Sequence, residues 1–209
     1  MSFWSTQDFK DNIETILPRD FASFQKDEKR FRESSIELSL GEEVFISSQK
    51  SLKRLSKEND TIRIRPGDFA LLMTEEWITL SMKWMAFISI KSKHKLSGLI
   101  NISGFHVDPG FYGKLKFSVY NAGTTDVILR YKDPTFLLFV ADVGEGVIPN
   151  PGEHWGQEHI EPKEMMPLLG TGVPFHELAR RLGTVETMVK IYGGILVAIF
   201  ILLLTRILK

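Results

Sequence analysis

Apolar and polar residues alternate most regularly in the segment 103–123, which reads SGFHVDPGFYGKLKFSVYNAG. Leu115, Phe117 and Val119 fall on one face of an extended strand, and the residues between them fall on the other. A reverse turn is predicted at 108–110, because Asp, Pro and Gly are typical turn residues. The Asn-Ala-Gly that follows the alternation is a second turn signal. The pattern predicts a half-buried β-strand preceded by a rigid turn.

Shorter alternating segments, separated by turn residues, recur through the first two thirds of the chain. The further predicted strands are 36–40, 43–47, 61–65, 69–73, 77–80 and 85–90. Many short strands with turns between them favour a β barrel or sandwich over βαβ units. The polar segment 50–60 is predicted to be an exposed loop, and 91–98 is either a solvated hairpin tip or a phosphate site.

A helical period precedes the strands at 5–17. Ser5 can cap this helix with Asp8 three residues later, and Pro18 ends it. Its apolar face comprises Phe9, Ile13, Ile16 and Leu17. Such a stripe usually packs on the chain's own core, and docking to a partner is the alternative interpretation. The charged segment that follows, 25–32, is predicted to be a solvated connector.

The last third of the chain changes character. Gly, Pro and charged residues dominate 145–183, which predicts a linker with a short amphipathic helix at 174–182. The run 191–205 contains no charged residue and predicts a C-terminal helix within 184–209. About 15 residues rise roughly 22 Å, and flanking Lys190 and Arg206 can extend the span by snorkelling. A single-pass membrane anchor with the β domain in the cytoplasm is the favoured interpretation; a core helix or an oligomerisation helix is the alternative.

Composition narrows the classes of function. Lys and Arg together equal Asp and Glu, at 26 each, so the net charge is +0 and no nucleic-acid partner is expected. The chain has no cysteine, which excludes disulfides, thiol catalysis and cysteine zinc sites. Two histidines and three glutamates within 153–161 could bind a metal, but a solvated linker is the favoured interpretation and no metal site is predicted.

Three segments resemble the dCTP deaminase branch of the dUTPase superfamily. VDPGFYGKLKFSVYNAG, at 107–123, is similar to the family signature IDPGW.G.....F.NSG. SSIELSLG, at 34–41, resembles SSIDLRLG, and PGDFAL, at 66–71, resembles PGEF.L. The resemblance implies an antiparallel β barrel of the dUTPase-like or dCTP deaminase-like type at 34–144, preceded by a helix and connector at 1–33. It also implies a homotrimer that binds deoxynucleoside triphosphates between its subunits.

The resemblance also assigns candidate site residues. The family's phosphate-gripping motif GRSSxxR falls on 89–95, where Ser92 keeps a serine and Lys95 stands in place of the final arginine. Asp108 matches the aspartate that orients water in dUTPases, and Phe111 matches the aromatic residue under the deoxyribose. Asn121 is the asparagine of the signature and completes the predicted ligand-binding set.

Two departures from the family pattern argue against deamination. The catalytic glutamate of dCTP deaminases aligns with Ser118, and serine is not a general base near neutral pH without a partner base. The glutamine that reads the nucleotide aligns with Leu137 or Leu138, which cannot form that hydrogen bond. Asp108 and Ser118 remain the candidate catalytic residues if the chain is an enzyme.

Three functions follow from these observations. The favoured one is a membrane-anchored, catalytically inactive dCTP deaminase-like protein that binds or senses a nucleotide. The alternatives are an active dCTP deaminase or dUTP pyrophosphatase with altered site residues, and a trimeric membrane scaffold without a ligand. No cofactor is expected, except Mg²⁺ accompanying a bound nucleotide. The expected partners are further copies of the chain, the lipid bilayer and a deoxynucleoside triphosphate.

Overall fold

A computed structural model describes residues 2–144, 156–169 and 175–207. The chain divides into two compact units, 1–170 and 171–209. The first unit is mainly β, as the sequence predicts. Its strands are β1 (Ser2–Phe3), β2 (Ile36–Ile46), β3 (Ser51–Arg54), β4 (Thr61–Ile64), β5 (Phe69–Thr79), β6 (Trp84–Ile90), β7 (Leu99–Asn101), β8 (His106–Val107), β9 (Tyr112–Asn121), β10 (Val127–Arg130) and β11 (Pro134–Asp142). Its helices are α1 (Thr6–Ile16), α2 (Phe21–Lys26), α3 (Ser92–Leu96) and α4 (Pro162–Met165), with 3₁₀ turns at Glu28–Arg30 and Met166–Leu169.

The strands form one antiparallel sheet that curls on itself. Its order is β7-β9-β5-β2-β11-β6-β8, with β1 added to β11 and β3 to β2, while β4 and β10 form a separate ribbon. Strands β9 and β11 are three positions apart, about 14 Å along a flat sheet. Yet Phe117 of β9 stacks on Phe136 of β11 with ring centroids 4.0 Å apart. The core therefore lies inside the curl, where the alternating apolar residues of both strands meet.

Two predicted strand pairs are single bent strands. The predicted strands 36–40 and 43–47 are both β2, with a register shift between Leu40 and Val44. Gly41 explains the shift, because a Cβ there would lie 2.6 Å from the carbonyl oxygen of Thr74. The predicted strands 69–73 and 77–80 are likewise one strand, β5, with a shift opposite β9. The bulges interrupt the alternation of apolar and polar residues, so the sequence pattern does not show that each pair is one continuous strand. The predicted loop 50–60 also contains a strand, β3.

The N-terminal helix forms as predicted and packs on the chain's own core. The Ser5 backbone N–H donates to Asp8 Oδ2 at 2.8 Å, and the Asp8 N–H donates to Ser5 Oγ at 3.3 Å, which closes a capping box. Phe9, Ile13 and Ile16 are buried.

The segment 156–169, which we call the strap, packs against the β domain. Gln157 pairs with Gly113 beside β9, and Ile160 is buried. The sequence placed this segment within a linker at 145–183; its described part is instead bound to the sheet. The rest of that predicted linker up to 155, including Glu153 and His154, lies outside the described residues.

The second unit contains one long helix, α5 (Phe175–Ile207). The sequence predicted separate helices at 174–182 and within 184–209, but one helix continues through Gly183 and Thr184. The Thr184 hydroxyl donates to the carbonyl of Arg180 at 3.1 Å, four residues back, instead of capping a new helix. Within the described part of the chain, one helical stretch, Leu178–Ile207, is long and apolar enough to cross a membrane.

Candidate functional site

The predicted phosphate motif forms the end of β6 and the single helical turn α3. The Lys95 ammonium donates to Ser89 Oγ at 2.6 Å, so its partner is a neutral hydroxyl and its charge stays uncompensated there. Ser92, at the start of the turn, has an exposed side chain. The segment is thus a short helix and not the predicted hairpin tip. It presents a lysine and a serine that could contact an anionic ligand.

Lys91 has a different role from Lys95, because a buried carboxylate neutralises it. Its Nζ lies 2.6 Å from Glu37 Oε1, and Arg32 Nε donates to the same oxygen at 2.7 Å. Burial on its own would raise the pKa of Glu37, but the hydrogen bonds and charges of Lys91 and Arg32 outweigh it and hold this pKa below its usual value. The pair fixes the start of α3 on strand β2.

Leu137 lies on β11, between Glu37 on β2 and Ser89 on β6, which are the partners of Lys91 and Lys95. Its backbone is in register with Glu37 on one side and with Ser89 on the other. It is half-buried and apolar. A ligand over Leu137 would therefore meet no hydrogen-bonding side chain at the position where the family resemblance places a glutamine.

His94 lies within the same helical turn and is buried. Burial and the positive charges of Lys93 and Lys91 lower the pKa of its imidazole to about 4, against an opposing effect of Asp133. Its Nε2 is enclosed without a hydrogen-bond partner among the described residues. The ring is therefore neutral near pH 7 and belongs to the packing of α3.

Asp108 begins the turn that leads into β9. Its carboxylate is 75% exposed and lies 3.6 Å from His106 Nε2. The turn relies on Gly110, whose φ of +78° favours glycine. Phe111 follows, packs against the core in part and accepts a backbone hydrogen bond from Leu80 at 2.8 Å. The predicted turn is confirmed, and Asp108 is open to solvent.

Ser118 lies near the middle of β9 on the face opposite the core. It is half-buried, and its carbonyl accepts a hydrogen bond from the N–H of Ile102 at 2.7 Å. Lys116 lies two residues earlier on the same face, about 7 Å along the strand. A carboxylate reaches this face from the strap: Glu164 Oε1 and Oε2 lie 2.9 and 2.8 Å from Lys116 Nζ. That carboxylate also accepts the N–H of Glu161, so it caps its own helix.

Asn121, a predicted ligand-binding residue, hydrogen-bonds within the fold in this structure. The residue is fully buried. Its Nδ2 donates to the carbonyls of Ile64 and Thr125, both at 2.9 Å, and its Oδ1 accepts the N–H of Gly123 at 2.9 Å. Both amide hydrogens are used, so the side chain offers a ligand no donor.

Two of the motif segments meet at this point. The Ala122 N–H donates to the Gly98 carbonyl at 2.9 Å, so the end of α3 contacts the turn after β9. A Cβ on Gly98 would lie 2.4 Å from the Cα of Gly123, and φ at Gly98 is +95°. Gly98 and Gly123 allow this close approach, and the hydrogen bonds of Asn121 stabilise it.

Other candidates stay apart within one chain. Strand order places β5, β2 and β11 between Ser118 on β9 and Ser89 on β6. Asp108 follows β8, whose Val107 pairs with Ala86, so it lies about 13 Å along β6 from Ser89. The described residues contain no cluster of three His, Asp or Glu side chains that could hold a metal. Of the histidines considered for metal binding, His159 contacts Glu43 instead.

Sequence reasoning missed the buried charges. Arg30 binds Glu76 and donates to Ser39 Oγ at 2.9 Å, while Arg32 binds Glu37. The connector is exposed at 25–29 and 32, as predicted, but its arginines pair with two buried carboxylates. The available signal was the polar pair Glu37 and Ser39, which alternates with apolar residues in the first half of β2.

Comparison with known proteins agrees with the fold. The sequence profile of the dCTP deaminase-like family matches residues 5–133. The dCTP deaminase of Pyrococcus abyssi is 34% identical over 106 residues, which are 51% of this chain and 66% of that protein. The dCTP deaminase of Pyrobaculum aerophilum is 29% identical over 144 residues, which cover 63% of this chain and 80% of that protein.

A solved structure leads to the same fold. The crystal structure of 2'-deoxycytidine 5'-triphosphate deaminase from Agrobacterium tumefaciens superposes with a TM-score of 0.55 at 12% identity, covering 68% of this chain and 49% of that one. A curled antiparallel sheet with these motif turns defines the dUTPase superfamily fold class. The chain belongs to the dCTP deaminase-like family within it.

Proposed function

We propose that this protein is a membrane-anchored nucleotide-binding module of the dCTP deaminase-like family that does not deaminate. The observation that carries the proposal is Ser118. It occupies the position that the family resemblance assigns to the catalytic glutamate, and a hydroxyl there cannot activate water as a carboxylate does. The carboxylate that does reach this face, on Glu164, is bound to Lys116 and to its own helix cap.

The retained features support binding. Lys95 and Ser92 lie on one exposed helical turn, and Lys95 donates to a neutral hydroxyl. Asp108 and Phe111 keep the turn of the family signature. The ligand is a deoxynucleoside triphosphate, because relatives named dCTP deaminases share the sequence and a lysine-serine turn suits a phosphate group.

The site is completed by other copies of the chain. In the described residues, the Ser118 group and the Lys95 group lie on different parts of one curled sheet. A homotrimer, which the family resemblance implies, would bring the two groups from adjacent subunits to one pocket. The apolar stretch Leu178–Ile207 would then anchor three helices in one bilayer.

A binding experiment with paired lysine variants tests the proposal. The full chain in lipid nanodiscs is melted with each common nucleoside triphosphate. At a concentration of 100 times Kd, a ligand stabilises by about 2.7 kcal/mol, which raises Tm by roughly 5–10 °C for a domain of this size. Lys95→Gln should weaken binding about tenfold, because it removes a charge-assisted hydrogen bond. Lys57→Gln, an exposed lysine in another loop, should bind as the parent does.

Turnover separates the proposal from its rivals. The parent protein should release neither ammonia nor pyrophosphate from dCTP or dUTP, with the Pyrococcus abyssi dCTP deaminase as the positive control. Release of either product would establish the enzymatic alternative that uses Asp108 or Ser118. A stable assembly that no nucleotide stabilises would establish the scaffold.

A further inference from the structure

The strap, 156–169, makes three separate connections to the β domain. The first is beside β9, where the Lys114 N–H donates to the Gln157 carbonyl at 2.8 Å and Gln157 Nε2 donates to the Lys114 carbonyl at 2.6 Å. Gly113 makes this approach possible, because a Cβ there would lie 2.8 Å from the Gln157 carbonyl oxygen. This end of the strap extends the sheet by backbone pairing.

The second connection is a buried carboxylate. Glu43 Oε2 accepts the backbone N–H of Ile160 at 2.9 Å, and Oε1 contacts His159 Nδ1 at 3.0 Å and Arg54 at 2.8 Å. Glu43 and Ile160 are 2% and 3% exposed, so the contact is closed to water. Burial on its own would raise the pKa of Glu43, but the bonds from Ile160, His159 and Arg54 outweigh it and lower the pKa, so the carboxylate is ionised at neutral pH.

The third connection reaches the candidate site. Glu164 forms a two-oxygen ion pair with Lys116, whose side chain is 15% exposed. Lys116 shares the face of β9 with Ser118, two residues away, where the proposed function places part of the ligand pocket. An anionic group bound over Ser118 would therefore compete with Glu164 for the same ammonium.

We propose that the strap is a releasable clasp, in which an anionic ligand over Ser118 takes Lys116 from Glu164, removes one of the three connections and shifts the strap toward release from the sheet. This inference rests on the proposed nucleotide-binding function. The strap precedes α5 along the chain, so its release would free the part of the first unit that leads toward this helix.

The absence of native cysteine allows a direct measurement. Ile160→Cys places the sole thiol under the docked strap, and Ile128→Cys places it at a position that is 58% exposed. In the full chain in nanodiscs without ligand, maleimide should label the Ile160→Cys protein at least tenfold more slowly. A nucleotide that raises Tm should then speed its labelling by about tenfold and leave Ile128→Cys unchanged.

Charge variants test the competition itself. Glu164→Gln in the Ile160→Cys background should speed labelling without ligand and reduce any further effect of nucleotide. Glu158→Gln is the matched control, because Glu158 is an exposed carboxylate of the same strap. Hydrogen exchange at the Ile160 and Lys114 amides of the unmodified chain gives a second readout that does not depend on the cysteine.

The outcomes distinguish the two proposals. A nucleotide that raises Tm but leaves labelling and exchange unchanged, or slows them, would overturn the clasp and leave nucleotide binding intact. A thiol at 160 that reacts as fast as the one at 128, with equally fast amide exchange, would show an undocked strap and also overturn it. If no nucleotide raises Tm, the proposed function fails and the clasp fails with it.

Discussion

Asn121 illustrates how a residue of a nucleotide-binding signature can serve the fold. Its amide fastens the end of β9 to the segments at Ile64, Thr125 and Gly123. Replacing the amide nitrogen with oxygen would leave the Ile64 and Thr125 carbonyls facing another acceptor in a buried site. Each loss of this kind costs about 1–3 kcal/mol.

We therefore expect Asn121→Asp to lower the free energy of unfolding by about 2–4 kcal/mol, as measured by chemical denaturation. Asn101→Asp is the control, because Asn101 is half-buried and bonds only one side-chain partner, Ser103, among the described contacts. If the parent and Asn121→Asp are equally stable and the variant no longer binds nucleotide, Asn121 contacts the ligand instead of stabilising the fold.

His94 makes stability depend on pH. The pKa of its imidazole is about 4 in the fold and about 6.5 in an unfolded chain, so the unfolded state binds an extra proton between these values. The contribution of His94 to the free energy of unfolding is fully present above pH 6.5 and decreases as the pH falls toward 4. Glu37 and Glu43, whose pKa values are lowered by their partners, contribute above about pH 4.5 and lose their contribution only at lower pH.

Between pH 7.5 and 5.0, the parent should lose about 1–2 kcal/mol more unfolding free energy than His94→Gln does. Urea denaturation at several pH values measures this difference. Parallel pH profiles for the two proteins would show that His94 is exposed to solvent in the folded state.

At the level of elements, a buried ion pair joins the N-terminal connector to β5, and hydrogen bonds from the same arginine join it to β2. Arg30 binds Glu76, whose side chain is 2% exposed, and also donates to the Glu37 carbonyl at 2.8 Å. Its guanidinium stacks 3.9 Å over the Phe24 ring. Removal of this partner would leave a buried carboxylate without compensation.

Arg30→Met should cost about 3–5 kcal/mol of unfolding free energy, and the double variant Arg30→Met/Glu76→Gln should recover part of it. Arg130→Met is the matched control: Arg130 is 62% exposed and pairs with Asp60, so its loss should cost at most about 1 kcal/mol. Equal costs for the two arginines would mean that the Arg30 pair is solvated.

These elements also show what the sequence could predict. Helix α1 was predictable because its cap and its apolar face are local patterns, and β9 because its alternation is uninterrupted. The pairing of Arg30 with Glu76 and the docking of the strap at Glu43 were not predictable. The first contact joins residues 46 positions apart and the second joins residues 117 positions apart, so no local pattern reveals them. The family motifs supplied the candidate site residues, but only the structure shows that Asn121 bonds the backbone around it and that Lys95 donates to a hydroxyl.

At the scale of the whole molecule, the proposed membrane anchor depends on α5. Its described apolar side chains, from Leu178 to Ile207, are exposed in the isolated chain, which fits a lipid environment. Ala198 lies near the middle of the uncharged run. An arginine at the centre of a spanning helix costs about 2.5–3.5 kcal/mol of insertion free energy.

We expect the parent to remain in the membrane pellet after alkaline extraction of cells, and Ala198→Arg to shift substantially to the supernatant. Lys190→Arg keeps the flanking charge and should stay in the pellet. Recovery of the parent in the supernatant would contradict a membrane anchor and favour a soluble oligomerisation helix.

We propose above that this protein binds a nucleotide without converting it. The most direct test melts the full chain in nanodiscs with dCTP or dUTP and then analyses the nucleotide recovered from the same sample by anion-exchange chromatography. Binding without conversion should raise Tm by roughly 5–10 °C with at least one nucleotide, which is recovered unchanged. Conversion of dCTP to dUTP, or of either to a monophosphate, would contradict it.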